Sequence, residues 1–480
     1  NGRWFLLLLD QWFHHGAGRL DKEGSLPNAL SADMEKDITM KKMKRLHIVW
    51  VSLATGVILL FSAGISFGQT EDVTFSRDIA PILQQRCQDC HRSGQMGPMS
   101  LVTYEEVRPW APLIKTKVVT RTMPPWHLDK TVGIQEFEND VSLTNAEIDK
   151  IARWVDAGAP RGNLEDMPAA IDWPQDDVWR MAERYDREPD LIIRSTPWTQ
   201  SAQGQDQWWT PIIETGLTED RWVTGMEVRP SMTGRRVTHH AVIYLQQREE
   251  PGDFEPVVDV PGRGSYLTEF AVGKIGDVFR ENTGKLMKAG SRIAFDNHYH
   301  SVGEEITAQT ELGIWFHPEG YVPKYRVYSN ALGVQQAMAT LDIPPGKVTT
   351  HHAYIPLRAQ ARIENYQPHM HVRGKAMSME AILPNGQVQM LNHVDNFNFN
   401  WHVNYVYADN SAPVLPAGTI LHLTAWHDNS ADNRANPDPT QWIGWGQRSF
   451  DEMYHAHVNM TYLNDEDYEQ IVADRRARQR

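Results

Sequence analysis

The sequence predicts a multi-domain chain in which a small all-α segment precedes two antiparallel, jelly-roll-like β-sandwiches. Three observations carry that prediction. Helical apolar spacing occupies residues 70–165. Short alternating runs separated by turn signals take over from about residue 190. Between them, residues 166–188 are rich in Asp, Pro and Glu and read as a linker.

The first 68 residues stand apart from this architecture. Residues 1–39 show no sustained period and are read as a non-native upstream extension. A basic patch then runs from Met40 to Arg45, followed by an uncharged apolar stretch over 48–67. Ser66 and Gly68 stand at the −3 and −1 positions of a cleavage site before Gln69. These are the parts of a signal peptide over 40–68, which places the protein in the periplasm or outside the cell. The apolar run is also near bilayer length, so an uncleaved anchor is the alternative and the one membrane contact expected. The chain carries 61 acidic against 47 basic residues, a net charge of −14, which gives a nucleic-acid partner no electrostatic support. The chain beyond residue 68 suffices for about three domains of ~100–200 residues.

Cys87 and Cys90 are the only cysteines, in Cys87-Gln88-Asp89-Cys90-His91. This spacing is the haem c attachment signature. Two thiols one helical turn apart each form a thioether, and the adjacent His91 lies under the ring as proximal iron ligand. One covalent haem is therefore expected, and structural disulfides elsewhere or a cysteine-ligated copper are excluded. Upstream, Ile79, Ile82, Leu83 and Cys87 fall on one helical face. Downstream, Thr144 to Glu147 reads as a capping box that opens a helix. Ile148, Ile151, Trp154 and Val155 form its apolar stripe, and Gly158 ends it. Two such helices are the frame of a small class I cytochrome c domain over 70–165. Met123, in a loop stiffened by Pro124 and Pro125, is the chosen distal ligand; Met96, Met99 and His127 compete for that place.

The β region opens with a strand around His239 and His240, and Pro384-Asn385-Gly386 marks a hairpin turn. A Pro-Pro-Gly break at 344–346 divides it into sandwiches over 189–345 and 346–465, leaving a charged tail at 466–480. Histidines cluster within these strands: His239-His240, then His298-Tyr299-His300, then His369-Met370-His371, then His455 and His457 just after Asp451-Glu452-Met453. His369 and His371 are two apart, so both imidazoles share one face of a strand. His239 and His240 would point to opposite faces of a regular strand, so joint ligation needs a bulge or a strand end.

In order and type, these groups resemble the copper type II, ascorbate-dependent monooxygenases, the family of peptidylglycine α-hydroxylating and dopamine β-monooxygenases. The resemblance implies two consecutive β-sandwiches, each supplying one copper, facing across a solvent-filled cleft. It implies that His239, His240 and His298 hold an electron-transfer copper. It implies that His369, His371 and Met453 hold the copper where oxygen binds. A thioether is a soft ligand that favours Cu(I), whereas it is unusual for zinc. Three positions depart from the peptide-hydroxylating members: Gln367 replaces a carboxylate-gripping arginine, and His455 and His457 replace an asparagine and a tyrosine. A peptide substrate is therefore rejected in favour of a small organic molecule. His300, His351, His352, His422 and His427 have no ligand role in the familiar members. The expected function is a monooxygenase using O2, with electrons passing from a periplasmic donor to the haem and then to the two coppers. The alternative is a copper and haem electron-transfer or copper-binding protein without oxygenase activity.

Overall fold

The computed structural model describes residues 72–478, apart from Met96, residues 174–177, residues 249–258 and Pro261. The upstream extension and the signal segment lie outside the described residues, as does Met96. Among the described residues, no helix is long and apolar enough to cross a membrane. The chain is mostly β-sheet, with few helices, most of them near its beginning.

The helices at the beginning build their own core. α1 (Ala80–Arg86), α2 (Ala111–Val119) and α3 (Asn145–Asp156) bury Ile79, Leu83, Val107, Ile114, Ile151 and Trp154 together. The capping box at α3 forms as the sequence predicts. Thr144 Oγ1 accepts from the Glu147 amide at 3.2 Å, and Glu147 Oε2 accepts from the Thr144 amide at 2.7 Å. Gly158, at φ +87°, ends the helix in the left-handed region. Fully buried Trp154 donates its indole N–H to the Pro160 carbonyl at 2.9 Å.

The expected helical segment is interrupted, because residues 126–138 leave this cluster for the β region. Trp126 and Leu128 join the core of the second sandwich. The Asp129, Ile134 and Glu138 amides donate to the carbonyls of His393, Leu391 and Val406. An extended stretch with apolar side chains satisfies its backbone on a sheet edge in this way.

The first sandwich contains β1 (Leu191–Arg194), β2 (Arg221–Pro230), β3 (Thr238–Gln246), β4 (Gly264–Ala271), β5 (Thr283–Met287), β6 (Arg292–Tyr299) and β7 (Thr310–Phe316). One sheet runs β1-β7-β2-β5 and the other β6-β3-β4. Val223, Met226, Leu312 and Ile314 of the first pack on Ile243, Leu245, Ile293 and Phe295 of the second. The linker is not a free spacer. Trp179 and Met181 bury against Trp315 of β7, and the Glu227 carboxylate accepts from the Arg180 and Met181 amides.

The second sandwich contains β8 (Tyr325–Leu332), β9 (Val348–Pro356), β10 (Ala361–Ile363), β11 (Asn365–Met370), β12 (Gly374–Ile382), β13 (Val388–Val394), β14 (Ile420–Asp428) and β15 (Tyr454–Tyr462). A four-stranded sheet, β9-β14-β12-β13, packs over β15 and its neighbours. The Pro384-Asn385-Gly386 turn joins β12 to β13, with Gly386 at φ +83°. β8 lies ahead of the division drawn at residue 345. β8 already pairs with β15 through six residue pairs, Val327–Thr461 to Leu332–Ala456. It also meets β5, so an 11-stranded sheet runs through both sandwiches. The Pro-Pro-Gly element is only a turn within the second body, ahead of β9. A short helix, α4 (Val334–Thr340), packs on β9 and β15. The charged tail is helical too, as α5 (Asp465–Arg478), which buries none of its residues.

Candidate metal centre

Adjacent histidines on a strand diverge, and β3 overcomes this with a bulge. His240 pairs with His298 of β6, but the next pair is Thr238 with Tyr299, so His239 is the extra residue. Its ring turns back, and the Nδ1 atoms of His239 and His240 lie 3.0 Å apart. Ligand atoms of His239, His240 and His298 all fall within 4.8 Å of one another, the only such group of three among the described residues. His298 is held from behind: its Nε2 donates to Asp206 Oδ2 at 3.0 Å, and Trp208 stacks on its ring at 4.3 Å. Its Nδ1 is buried without a hydrogen-bond partner. A carboxylate on one ring nitrogen with the other left free is the arrangement that orients a metal-binding imidazole. The hydrogen bond from His298 in turn holds the Asp206 carboxyl below its ordinary range.

His369 and His371 share a face at the end of β11 and just beyond it, with ring centres 5.3 Å apart. His369 Nδ1 is also buried without a partner. His371 Nδ1 lies 3.2 Å from the Asp451 carbonyl, and a proton donated there leaves the Nε2 lone pair free. Met453 precedes β15 by one residue, and a single carboxylate ties its backbone to that of His371. Glu452 Oε2 accepts from the His371 amide at 2.9 Å and from the Met453 amide at 3.3 Å. The other oxygen of Glu452 accepts from the Arg373 amide at 2.6 Å. Burial pushes this carboxyl up to about 8. His427 Nε2 donates to the Met453 carbonyl at 3.2 Å, and His427 Nδ1 lies 3.2 Å from His351 Nδ1. His351 and His427 therefore belong to the support of this loop.

The expectation of a solvent-filled cleft between the two groups is corrected, because side chains fill the space. His240 and His369 approach to 6.3 Å between ring centres. His402, which no motif in the sequence singles out, stands 4.6 Å from His369, 6.2 Å from His239 and 6.4 Å from His240. Phe399 stacks on His239 at 4.8 Å and meets His371 at 5.7 Å. His300 borders the first group, 6.3 Å from His239. His455 faces His369 across β11 and β15, with stacked rings 4.6 Å apart, and its Nε2 lies 3.0 Å from His457 Nε2. His457 Nδ1 is 3.4 Å from Glu269 of β4, whose carboxylate also accepts from Gln367.

Burial governs the protonation of these rings. It lowers His239 to about 3, assisted by His402 and His298, and lowers His371 to about 4. His240, His369 and His455 are driven down for the same first reason. Neutral imidazole is the form that ligates a metal, so the fold keeps these donors ready across ordinary pH.

A second donor set lies in the helical part. After α1 the chain turns so that the Cys90 and His91 amides reach the Cys87 carbonyl, leaving both thiols free. His91 Nδ1 lies 3.1 Å from the Met99 carbonyl, which leaves Nε2 for a ligand. Gly97 passes so close that a Cβ would sit 2.6 Å from His91 Nδ1. Met99 is thus committed through its backbone to orienting His91. Burial, with Cys90 adding to it, pushes the Cys87 thiol up to about 12. Met123 lines a pocket with Val118, Trp126, Leu143 and Ile148. His127 is buried beside the second sandwich, where its amide donates to the Tyr405 hydroxyl at 3.2 Å.

No family model matches the chain, and no curated protein matches it. Among solved structures it is similar to an allantoicase at 12% identity, covering 55% of this chain and 80% of that one, with a TM-score of 0.15. The allantoicase of Saccharomyces cerevisiae gives the same identity and coverages and a TM-score of 0.16. The infectious bursal disease virus Gt strain structure gives 11% identity, 62% and 73% coverage, and a TM-score of 0.16. Likeness at this level carries no statement about the chemistry of this chain.

Proposed function

We propose that the chain is a periplasmic or secreted haem- and copper-dependent monooxygenase that hydroxylates a C–H bond of a small organic substrate. The observation that carries this reading is the meeting of a three-imidazole group with a His-x-His pair, 6.3 Å apart at His240 and His369. The order of these residues resembles the copper type II, ascorbate-dependent monooxygenases, and the neutral, back-supported imidazoles fit copper. Cys87, Cys90 and His91 fit one covalent haem c, with Met123 as the distal ligand. When bound, copper at the histidines supplies oxygen activation and the haem supplies one-electron reduction. In net terms, one C–H becomes C–OH, the second oxygen atom leaves as water, and two electrons and two protons come from the donor.

The chain's own residues prepare this chemistry. Asp206 fixes the His298 ring, the Asp451 carbonyl fixes His371, and Glu452 fixes the loop that presents Met453. The Met453 thioether is the soft donor that favours Cu(I). Gln367 cannot act as a carboxylate grip, because its amide is occupied by Glu269 and the His402 carbonyl. The substrate is accordingly one without a peptide carboxylate to anchor.

The test is oxygen consumption by the copper-loaded, haem-containing protein against a panel of small metabolites. Met453→Ala should abolish substrate-dependent uptake and leave the haem spectrum unchanged. The alternative, an electron-transfer protein, draws on His402 and Phe399 filling the space between the two groups. Uptake driven by reductant alone, without hydroxylated product, would establish that alternative.

A further inference from the structure

Two histidines without a ligand role so far, His352 and His422, meet on the outer face of the β9-β14-β12 sheet. His352 Nδ1 and His422 Nε2 lie 3.0 Å apart, and Thr424 Oγ1 stands 3.3 Å from each. We propose that these three side chains form a surface site for a divalent first-row metal ion, Cu(II) above all, separate from the buried histidines.

Four observations support this. First, the strand register builds the site: His352 pairs with Thr424, and His422 lies two residues along the same strand. Both imidazoles thus rise from one face without a bulge. Second, a carboxylate selects the tautomer of the neutral His422 ring. Its Nδ1 lies 3.0 Å from Glu380 Oε2 on β12, and a carboxylate only accepts, so a proton sits on Nδ1 and, in the neutral ring, Nε2 carries the lone pair, 3.0 Å from His352 Nδ1. A carboxylate behind an imidazole is the arrangement that orients metal-binding histidines. Third, the His422 ring is clamped in plane, since Tyr354 stacks on it at 4.5 Å with planes only 2° apart. Fourth, His352 is exposed, so its proton can reside on Nε2 in water, leaving Nδ1 as a second donor.

The spacing also selects the ion. With metal–nitrogen bonds of about 2.0–2.1 Å, two nitrogens 3.0 Å apart subtend roughly 95° at the metal. That is close to the cis angle of a tetragonal ion, and Cu(II) binds such nitrogen sites most tightly among the divalent first-row metals. With two protein nitrogens and one hydroxyl, water fills the remaining positions, so the ion exchanges with solvent.

The experiment titrates Cu(II) into copper-stripped, haem-containing full-length protein by calorimetry. It compares wild type with His352→Gln, His422→Gln and Glu380→Gln. Wild type should bind one weaker equivalent beyond the buried sites, and both histidine variants should lose it. Glu380→Gln should keep the equivalent with about 10-fold weaker affinity, the usual low end for losing an orienting partner. Far-UV circular dichroism verifies that the variants fold; His352 is exposed, and His422 and Glu380 are half-buried. In a His240→Ala background the weaker equivalent should persist, so its presence is scored independently of the buried centre. An unchanged number of equivalents in His352→Gln and His422→Gln would overturn the site. An unchanged affinity in Glu380→Gln would overturn the role of the carboxylate.

Discussion

His240 of β3 and His369 of β11 stand edge to face, with ring centres 6.3 Å apart and planes at 87°. They belong to different sandwiches, yet each is part of a separate ligand group. If each group holds its own ion, His240→Ala and His369→Ala should each reduce bound copper at the buried sites from two equivalents to one. Elemental analysis after removal of loosely held metal reads this directly. Loss of both ions in either single variant would mean that the two groups form one shared site.

Glu452 joins three backbone amides, those of His371, Arg373 and Met453, in a fully buried position. Glu452→Ala leaves all three donors without an acceptor, at about 1–3 kcal/mol each. A stability loss of about 3 kcal/mol or more is expected in chemical denaturation, together with loss of copper at the His369 group. A loss below about 1 kcal/mol would show that water replaces the carboxylate.

Glu269 carries a pH prediction. Burial alone would raise its carboxyl, but the adjacent His457, with Lys274 and His402, lowers it from 4.5 to about 2. A carboxyl depressed in the folded state contributes stability that is complete above its unfolded value. That contribution is lost as pH falls through the folded value. The window therefore runs from about pH 4.5 down to about 2, over which about 3 kcal/mol disappears. In Glu269→Gln, melting temperature should fall less steeply across that window than in wild type. Parallel curves would refute the assignment.

Met123 is tested through the haem. Replacing a thioether ligand by imidazole lowers the reduction potential, so Met123→His should shift the haem to lower potential in a spectroelectrochemical titration. Covalent attachment through Cys87 and Cys90 should survive. An unchanged potential would remove Met123 from the iron.

Much of this site can be read from local spacing. The Cys-x-x-Cys-His run, the Thr144–Glu147 box and His369-x-His371 each need only a few neighbouring residues and one backbone period. For His239 and His240 the sequence leaves a bulge or a strand end open, and the pairing of β3 with β6 supplies the bulge. His402 gives no such signal: it is a single histidine in an aromatic and Asn-rich stretch, and only tertiary packing brings it to His369. Pairing of β8 with β15 was equally hidden, because its partners lie about 130 residues apart and Pro344-Pro345-Gly346 offers a stronger local boundary. The docking of Trp126 on Tyr405, at 4.8 Å, depends on a contact across most of the chain.

The β8–β15 pairing has a consequence for biosynthesis. Until Tyr454–Tyr462 leaves the ribosome, the strand pairing of β8 is limited to two residues of β5. β11 likewise waits for β15, which carries His455 and His457 into place beside His369. Assembly of the His369 group is thus coupled to the arrival of β15. A nascent chain halted before residue 454 would already hold His239, His240 and His298, but would lack Met453's neighbours on β15 and the strand against which His369 is seated.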